Sequence, residues 1–157
     1  MKKIITIIIF SSISIFANTS CTYQKMNSMD QKKFDIQEFE ITGETRETFI
    51  IQKKIQRFSN KDSKNKIKIT IDLKKDKTIK EKNIQNKVTK YNLALSADVK
   101  IIDLVTSNEI RRNFTSNKSY NVEDSYTNTV NNSKEANNSL IDSIANEILD
   151  QLRIYYR

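Results

Sequence analysis

Tyr91-Asn92-Leu93-Ala94-Leu95-Ser96-Ala97-Asp98-Val99-Lys100-Ile101 is the stretch that decides the fold. Tyr91, Leu93, Leu95, Ala97, Val99 and Ile101 recur at every second position, and the residues between them are mostly polar, so an extended strand with one buried face fits the pattern and a helix does not. Upstream, Ile67, Ile69, Ile71 and Leu73 alternate with Lys68, Thr70 and Asp72 in the same way. Between these two runs, Lys74 to Lys87 is so charged that it reads as the exposed end of a long hairpin. Downstream, Asp103 to Asn108 offers Asp, Thr, Ser and Asn for a turn that has no Gly or Pro. A further strand follows from Glu109 to Phe114 and becomes irregular towards Tyr120 and Val122.

Two segments change period. Ile51, Ile55 and Phe58 are spaced for a helix between Glu44 and Phe58, with Glu44 and Glu47 early and Lys53, Lys54 and Arg57 late, as the helix dipole favours. Ser133 to Tyr155 carries Leu140, Ile141, Ile144, Ala145, Ile148 and Leu152 on one side and Asp142, Glu147 and Asp150 on the other, which makes it an amphipathic helix. Before the first helix, Phe34 and Ile36 lie on one parity and Phe39 and Ile41 on the other, so a strand from Phe34 to Thr42 should slip phase near Gln37-Glu38 and end at Gly43. The order is strand, helix, three strands, helix. This predicts an α+β fold in which two helices pack on one face of a mainly antiparallel four-stranded sheet.

Composition narrows the chemistry. The 157 residues hold no His, Pro or Trp, one Cys and one Gly. A Cys/His zinc site, a Ser-His-Asp or Cys-His nucleophile and a Gly-rich phosphate loop therefore lack the residues they need. No carboxylate pair stands in a recognisable catalytic frame. The expectation is a binding protein, with neither enzymatic activity nor a cofactor.

At the amino terminus, Lys2 and Lys3 precede an apolar and small-residue run from Ile4 to Phe16, in the order of a secretory signal. Thirteen residues are too few to span a bilayer. The only cysteine, Cys21, follows Asn18-Thr19-Ser20 and resembles a bacterial lipobox, although Asn18 replaces the usual branched aliphatic residue. Residues 1–20 are then a lipoprotein signal peptide, 21–33 a lipidated tether and 34–157 a single domain. Thr22 after the cysteine, by analogy with enteric sorting rules, points to the outer membrane, with the protein lipid-anchored on the periplasmic side.

Charge is uneven: residues 53–90 contain 14 Lys/Arg against 4 Asp/Glu, whereas residues 119–157 contain 3 against 6. Part of the Lys and Asn excess reflects an AT-rich genome. The remainder turns the second strand and its hairpin towards something anionic. An exported chain does not meet nucleic acid; the basic surface open to another anionic partner is Lys68, Lys74, Lys75, Lys77, Lys80, Lys82 and Lys90, with Ile79 and Ile84 among them.

From Tyr91 onward the chain resembles LptE, the lipopolysaccharide-assembly lipoprotein family, in its alphaproteobacterial form. The matching frame is Thr89-Lys90-Tyr91 opening the alternating strand into Asp103, then Ser119-Tyr120-Asn121, Ser125-Tyr126 and a last helix with Ala136, Ile144-Ala145, Ile148 and Leu152. The family's turn glycines are absent, and Asn stands at several of those places. The resemblance implies a subunit that plugs the LptD barrel, helps it assemble and binds lipopolysaccharide. Another periplasmic lipoprotein of a binding class, an ABC-transporter accessory or a cell-wall synthase activator, is the alternative.

Overall fold

The computed structural model describes residues 33–43 and 45–156, so the expected signal peptide, Cys21 and the expected tether as far as residue 32 lie outside the described residues. Six elements follow in the expected order: β1 (Asp35–Gly43), α1 (Thr45–Gln56), β2 (Lys66–Lys82), β3 (Val88–Asp103), β4 (Glu109–Asn121) and α2 (Tyr126–Tyr155). They build one α+β sheet in the spatial order β1-β2-β3-β4.

The sheet is mixed. β2, β3 and β4 pair antiparallel, but β1 pairs with β2 in parallel. The reason is the connection: α1 carries the chain back to the end where β1 began, and a strand entered after such a crossover runs in the same direction as its predecessor. The phase slip in β1 is real. Its register shifts between Ile36 and Glu38, so Ile36, Phe39 and Ile41 oppose Ile67, Ile69 and Ile71 and all reach the same face.

That face is the core. Ile67, Ile69, Ile71 and Leu73 from β2 and Leu93, Leu95, Ala97, Val99 and Ile101 from β3 are buried beneath Ile51 and Ile55 of α1 and Ala136, Leu140, Ile141, Ile144, Ala145, Ile148, Leu149 and Leu152 of α2. The opposite face carries Glu40, Thr70, Asp72, Lys74, Ser96, Asp98, Asn113 and Thr115 and remains polar. No described element packs on it.

Three boundaries differ from expectation, because pairing extends two strands past the end of the apolar pattern and side-chain hydrogen bonds extend the last helix at its start. The charged run after Leu73 is strand as far as Lys82, because β3 supplies hydrogen-bonding partners along its length, and only Asn83 to Lys87 forms the hairpin tip. β4 continues unbroken to Asn121 against β3. α2 starts at Tyr126, seven residues before the first position expected from its stripe. Its opening turns bury no large apolar residue and are tied by the Asn132 side-chain amide to the Asn121 carbonyl and by Thr129 to the backbone of Glu123.

Without glycine, polar side chains shape the turns. At the tip, Asn83 Oδ1 accepts the backbone N–H groups of Gln85 and Lys87, and Asn86 takes a positive φ of 62°. Asp103 Oδ1 does the same for Val105 and Thr106 between β3 and β4. At Gly43 a side chain is excluded: its φ is +112°, and a Cβ there would stand 2.1 Å from the Leu73 carbonyl oxygen. Gly43→Ala should therefore lower stability by about 2 kcal/mol through backbone strain. Ile144→Ala, which opens a cavity in the core, should cost about 2–5 kcal/mol. Urea melts check both, and an unchanged midpoint for Gly43→Ala would contradict the strained junction.

Candidate functional site

The seven lysines singled out by charge do not form one surface. Alternation along β2 sends Lys68 and Lys74 to the polar face and Lys75 and Lys77 to the helix-bearing face, in line with the buried Leu73. On the polar face, Lys68 sits between Glu38 and Glu40, with its Nζ 2.8 Å from a carboxylate oxygen of each. Donation first to Glu38 and then to Glu40 holds this ammonium well above the ordinary lysine range. Lys74 lies 3.3 Å from Asp72 and 3.8 Å from Asp98. Near the tip, Lys80 donates to Ser119 Oγ, Lys82 to Asn86 Oδ1, and Lys90 pairs with Glu81 at 2.7 Å. These cations are engaged within the domain.

Lys75 and Lys77 instead enter a cleft of about 430 Å³ under the start of α1, lined by Arg46, Glu47, Lys75, Lys77, Leu93, Ser133, Lys134 and Asn137. Glu47 organises it. As the first residue of the stripe Glu47, Ile51, Ile55, it is turned inward by the helix that buries those isoleucines, and only 5% of its side chain is exposed. Its Oε1 accepts from Lys75 Nζ at 2.7 Å and from Asn137 Nδ2 at 2.9 Å. Burial opposes the charged form, but the bonds from Lys75 and Asn137 outweigh it, and the carboxyl lies below its ordinary value. One lysine is thus consumed in fixing α1 and α2 over β2.

Lys77 is held differently. Its ammonium stands 3.9 Å above the Tyr91 ring and 5.6 Å from the Tyr120 ring, and those two rings stack with centroids 5.7 Å apart. A cation on an aromatic platform keeps its hydrogen-bond donors free for a ligand. Arg46 and Lys134 stand exposed on opposite walls and make no ion pair among the described residues. The cleft therefore brings Arg46, Lys77 and Lys134, none of them in an ion pair among the described residues, beside the apolar Leu93, with Lys77 backed by the two tyrosine rings. That arrangement suits an anionic group attached to an apolar body.

Two other clefts are less suitable. One, of about 440 Å³ at the β3–β4 edge, has Lys100 and Arg111 already paired with Glu109. The other, of about 470 Å³ between β4 and α2, mixes Lys118 with Glu123 and Glu135.

Arg46 and Lys134 were not among the residues chosen from sequence. A signal existed: Glu47 on the apolar stripe of α1 demands a cation, and odd-numbered Lys75 and Lys77 continue the alternation of the buried residues. What sequence could not place was the wall of α2 opposite.

The fold has known counterparts. It matches rare lipoprotein B from Shewanella oneidensis with a TM-score of 0.59 at 10% identity, covering 75% of this chain and 92% of that one. It also matches the uncharacterized lipoprotein B from Nitrosomonas europaea (0.58, 15% identity, 80% and 86% covered) and a minor lipoprotein from Acinetobacter baumannii (0.54, 17% identity, 78% and 94% covered). This chain shares the architecture of these bacterial lipoproteins. No protein-family profile and no curated protein matches it in sequence.

The Glu47 contacts have a measurable pH signature. Because its carboxyl is held below the unfolded value near 4.3, its stabilising contribution is complete above that pH and is lost as pH falls towards the folded value. Glu47→Gln should be less stable than wild type by about 1–3 kcal/mol at pH 7, and the gap should shrink below pH 4. Urea melts across pH 3–7 would show this, and a gap independent of pH would refute the assignment.

Proposed function

We propose that this chain is the LptE-type subunit of the lipopolysaccharide transport machinery, anchored at the outer membrane through lipid on Cys21 on its periplasmic side. In that role it plugs the LptD barrel, helps it assemble and binds lipopolysaccharide in the cleft between α1, α2 and the β2–β3 hairpin. The observation that carries the reading is that Arg46, Lys77 and Lys134 line one cleft with Leu93, Lys77 resting on the stacked tyrosines. Lipid A presents phosphates on acylated sugars. Guanidinium and ammonium groups would take the phosphates, and Leu93 would receive the proximal part of an acyl chain. The fold shared with solved bacterial lipoproteins and the lipobox-like approach to Cys21 support the same reading.

The open face of the sheet suits a plug. Its polar residues are compatible with the polar interior of a transmembrane barrel, and β1 and β4 each leave an edge of unpaired backbone groups that a surrounding wall would cover.

Binding is tested with lipopolysaccharide and with its dephosphorylated form. Reversing Arg46, Lys77 and Lys134 to Glu together should weaken binding of the phosphorylated form at least tenfold and flatten its salt dependence, whereas Lys74→Glu on the opposite face should have little effect. Equal affinity of wild type and the triple variant would refute the cleft. Photo-crosslinkers at Lys68, Thr70, Asn92 and Ala94 should capture one large outer-membrane protein. Capture of lipid alone would favour an accessory lipoprotein of another class. Cys21→Ala should abolish palmitate labelling, and unchanged labelling would remove the anchor.

A further inference from the structure

The end of the domain where the described chain begins has a chemistry that the plug reading does not use. Leu104 and Val105 project from the β3–β4 turn with 43% and 67% exposure, and the last turn of α2 leaves Ile154 and Tyr155 exposed. The turn is rigidly shaped. Asp103 Oδ1 holds the N–H groups of Val105 and Thr106, Ser107 N–H returns to the Asp103 carbonyl at 2.8 Å, and Leu104 N–H donates to the Lys66 carbonyl at 2.8 Å. Beside it, the buried Tyr156 ring packs edge-on against Tyr155, with centroids 4.8 Å apart, and lies 6.1 Å from Phe34. Burial, and then the charge of neighbouring Asp103, push its phenol up, so it stays neutral.

Cations border these apolar residues. The connection from Arg57 to Lys66 holds Arg57, Lys61, Lys64 and Lys66 against one acid, Asp62. Of these, Lys66 is bound to Asp35, while Arg57, Lys61 and Lys64 are exposed. The same connection holds the start of the domain: Ser63 Oγ and Asn65 Nδ2 each donate to the Lys33 carbonyl at 2.7 Å. Cys21 lies twelve residues before Lys33, so even fully extended chain leaves this end within about 40 Å of it.

We propose that this end of the domain docks on an anionic phospholipid surface, with Leu104, Val105 and Tyr155 entering the interfacial layer and Arg57, Lys61 and Lys64 meeting the phosphates. Branched aliphatic and tyrosine side chains flanked by basic residues match the interface of a bilayer, and each aliphatic side chain that leaves water contributes about tenfold in partitioning. The proposal rests on the membrane anchor at Cys21 for its local concentration and adds the orientation: tether end on the leaflet, hairpin tip away from it.

The test uses the purified full-length lipoprotein on vesicles of phosphatidylethanolamine and phosphatidylglycerol that contain a doxyl-labelled lipid. A fluorescent amino acid replaces Val105, or Ile84 at the hairpin tip as control. Quenching at position 105 should exceed that at 84 by threefold or more and should fall with salt or with Leu104→Asp. Mass spectrometry of the same sample reads the lipid on Cys21 separately. Preferential quenching without that lipid would retain the docking surface and remove the anchor. Protein that co-floats through its lipid but is quenched equally at both positions would overturn the docking surface and leave the anchor standing. Absence of quenching at 105 in any sample also overturns it, because the residue is then facing water or protein.

Discussion

Every large apolar side chain that β1, β2 and β3 bury points to one side of the sheet, and the rest of the molecule follows from covering that side. A single-faced sheet cannot stay in water uncovered, and its neighbours in sequence are the two amphipathic segments able to cover it. α1 must therefore turn back over β1 and β2, which makes the first strand pair parallel. α2 must run along β3 and β4 from the hairpin-tip end to the end where β1 begins. Ile51 and Ile55 on one helix and Leu140, Ile141, Ile144 and Ile148 on the other meet the same isoleucine rows. The bulge in β1 serves the same constraint, since without it Phe39 and Ile41 would face water.

Electrostatics is organised around this one-sidedness. On the polar face, positive and negative side chains alternate across strands, as in Lys68 between Glu38 and Glu40, or Lys100 with Glu109. Such exposed pairs add little stability individually, but they leave few uncommitted cations there. On the core face the alternation of β2 continues past Leu73 into Lys75 and Lys77, where α1 ends its cover. One of these lysines neutralises the inward Glu47 and fixes the helix pair. The other is left over two tyrosine rings with Arg46 and Lys134 nearby. The cleft is thus a by-product of a strand that outruns its helix: sheet continues, cover stops, and basic side chains occupy the step.

The two ends of the molecule also differ. β2 and β3 run past the short first helix into a charged hairpin tip, while the opposite end gathers the chain entry at Lys33, the Arg57–Lys66 connection, the β3–β4 turn and the end of α2. Asp103 is central there, since its carboxylate shapes the turn that Tyr156 packs beside. A domain with a polar sheet face, a basic step on its core face and an apolar, basic-rimmed entry end has a defined polarity along its long axis.

Much of this was legible in the order of residues alone. Period-two alternation at 67–73 and 91–101 and helical spacing at 51–58 and 140–152 determined the elements and their apolar faces, because side-chain direction is set by local backbone geometry. The slip in β1 was readable for the same reason, and the absence of His together with a single Cys and a single Gly narrowed the chemistry through residue types alone. Tertiary structure decided what depends on partners. β2 and β4 extend into polar sequence because a neighbouring strand satisfies their backbone, and α2 begins early because side chains from its own first turns bind the strand beneath. Which lysines are free was also decided only in three dimensions. Charge along the chain counts Lys68 and Lys77 alike, but one falls between two carboxylates contributed by β1 and the other over rings contributed by β3 and β4.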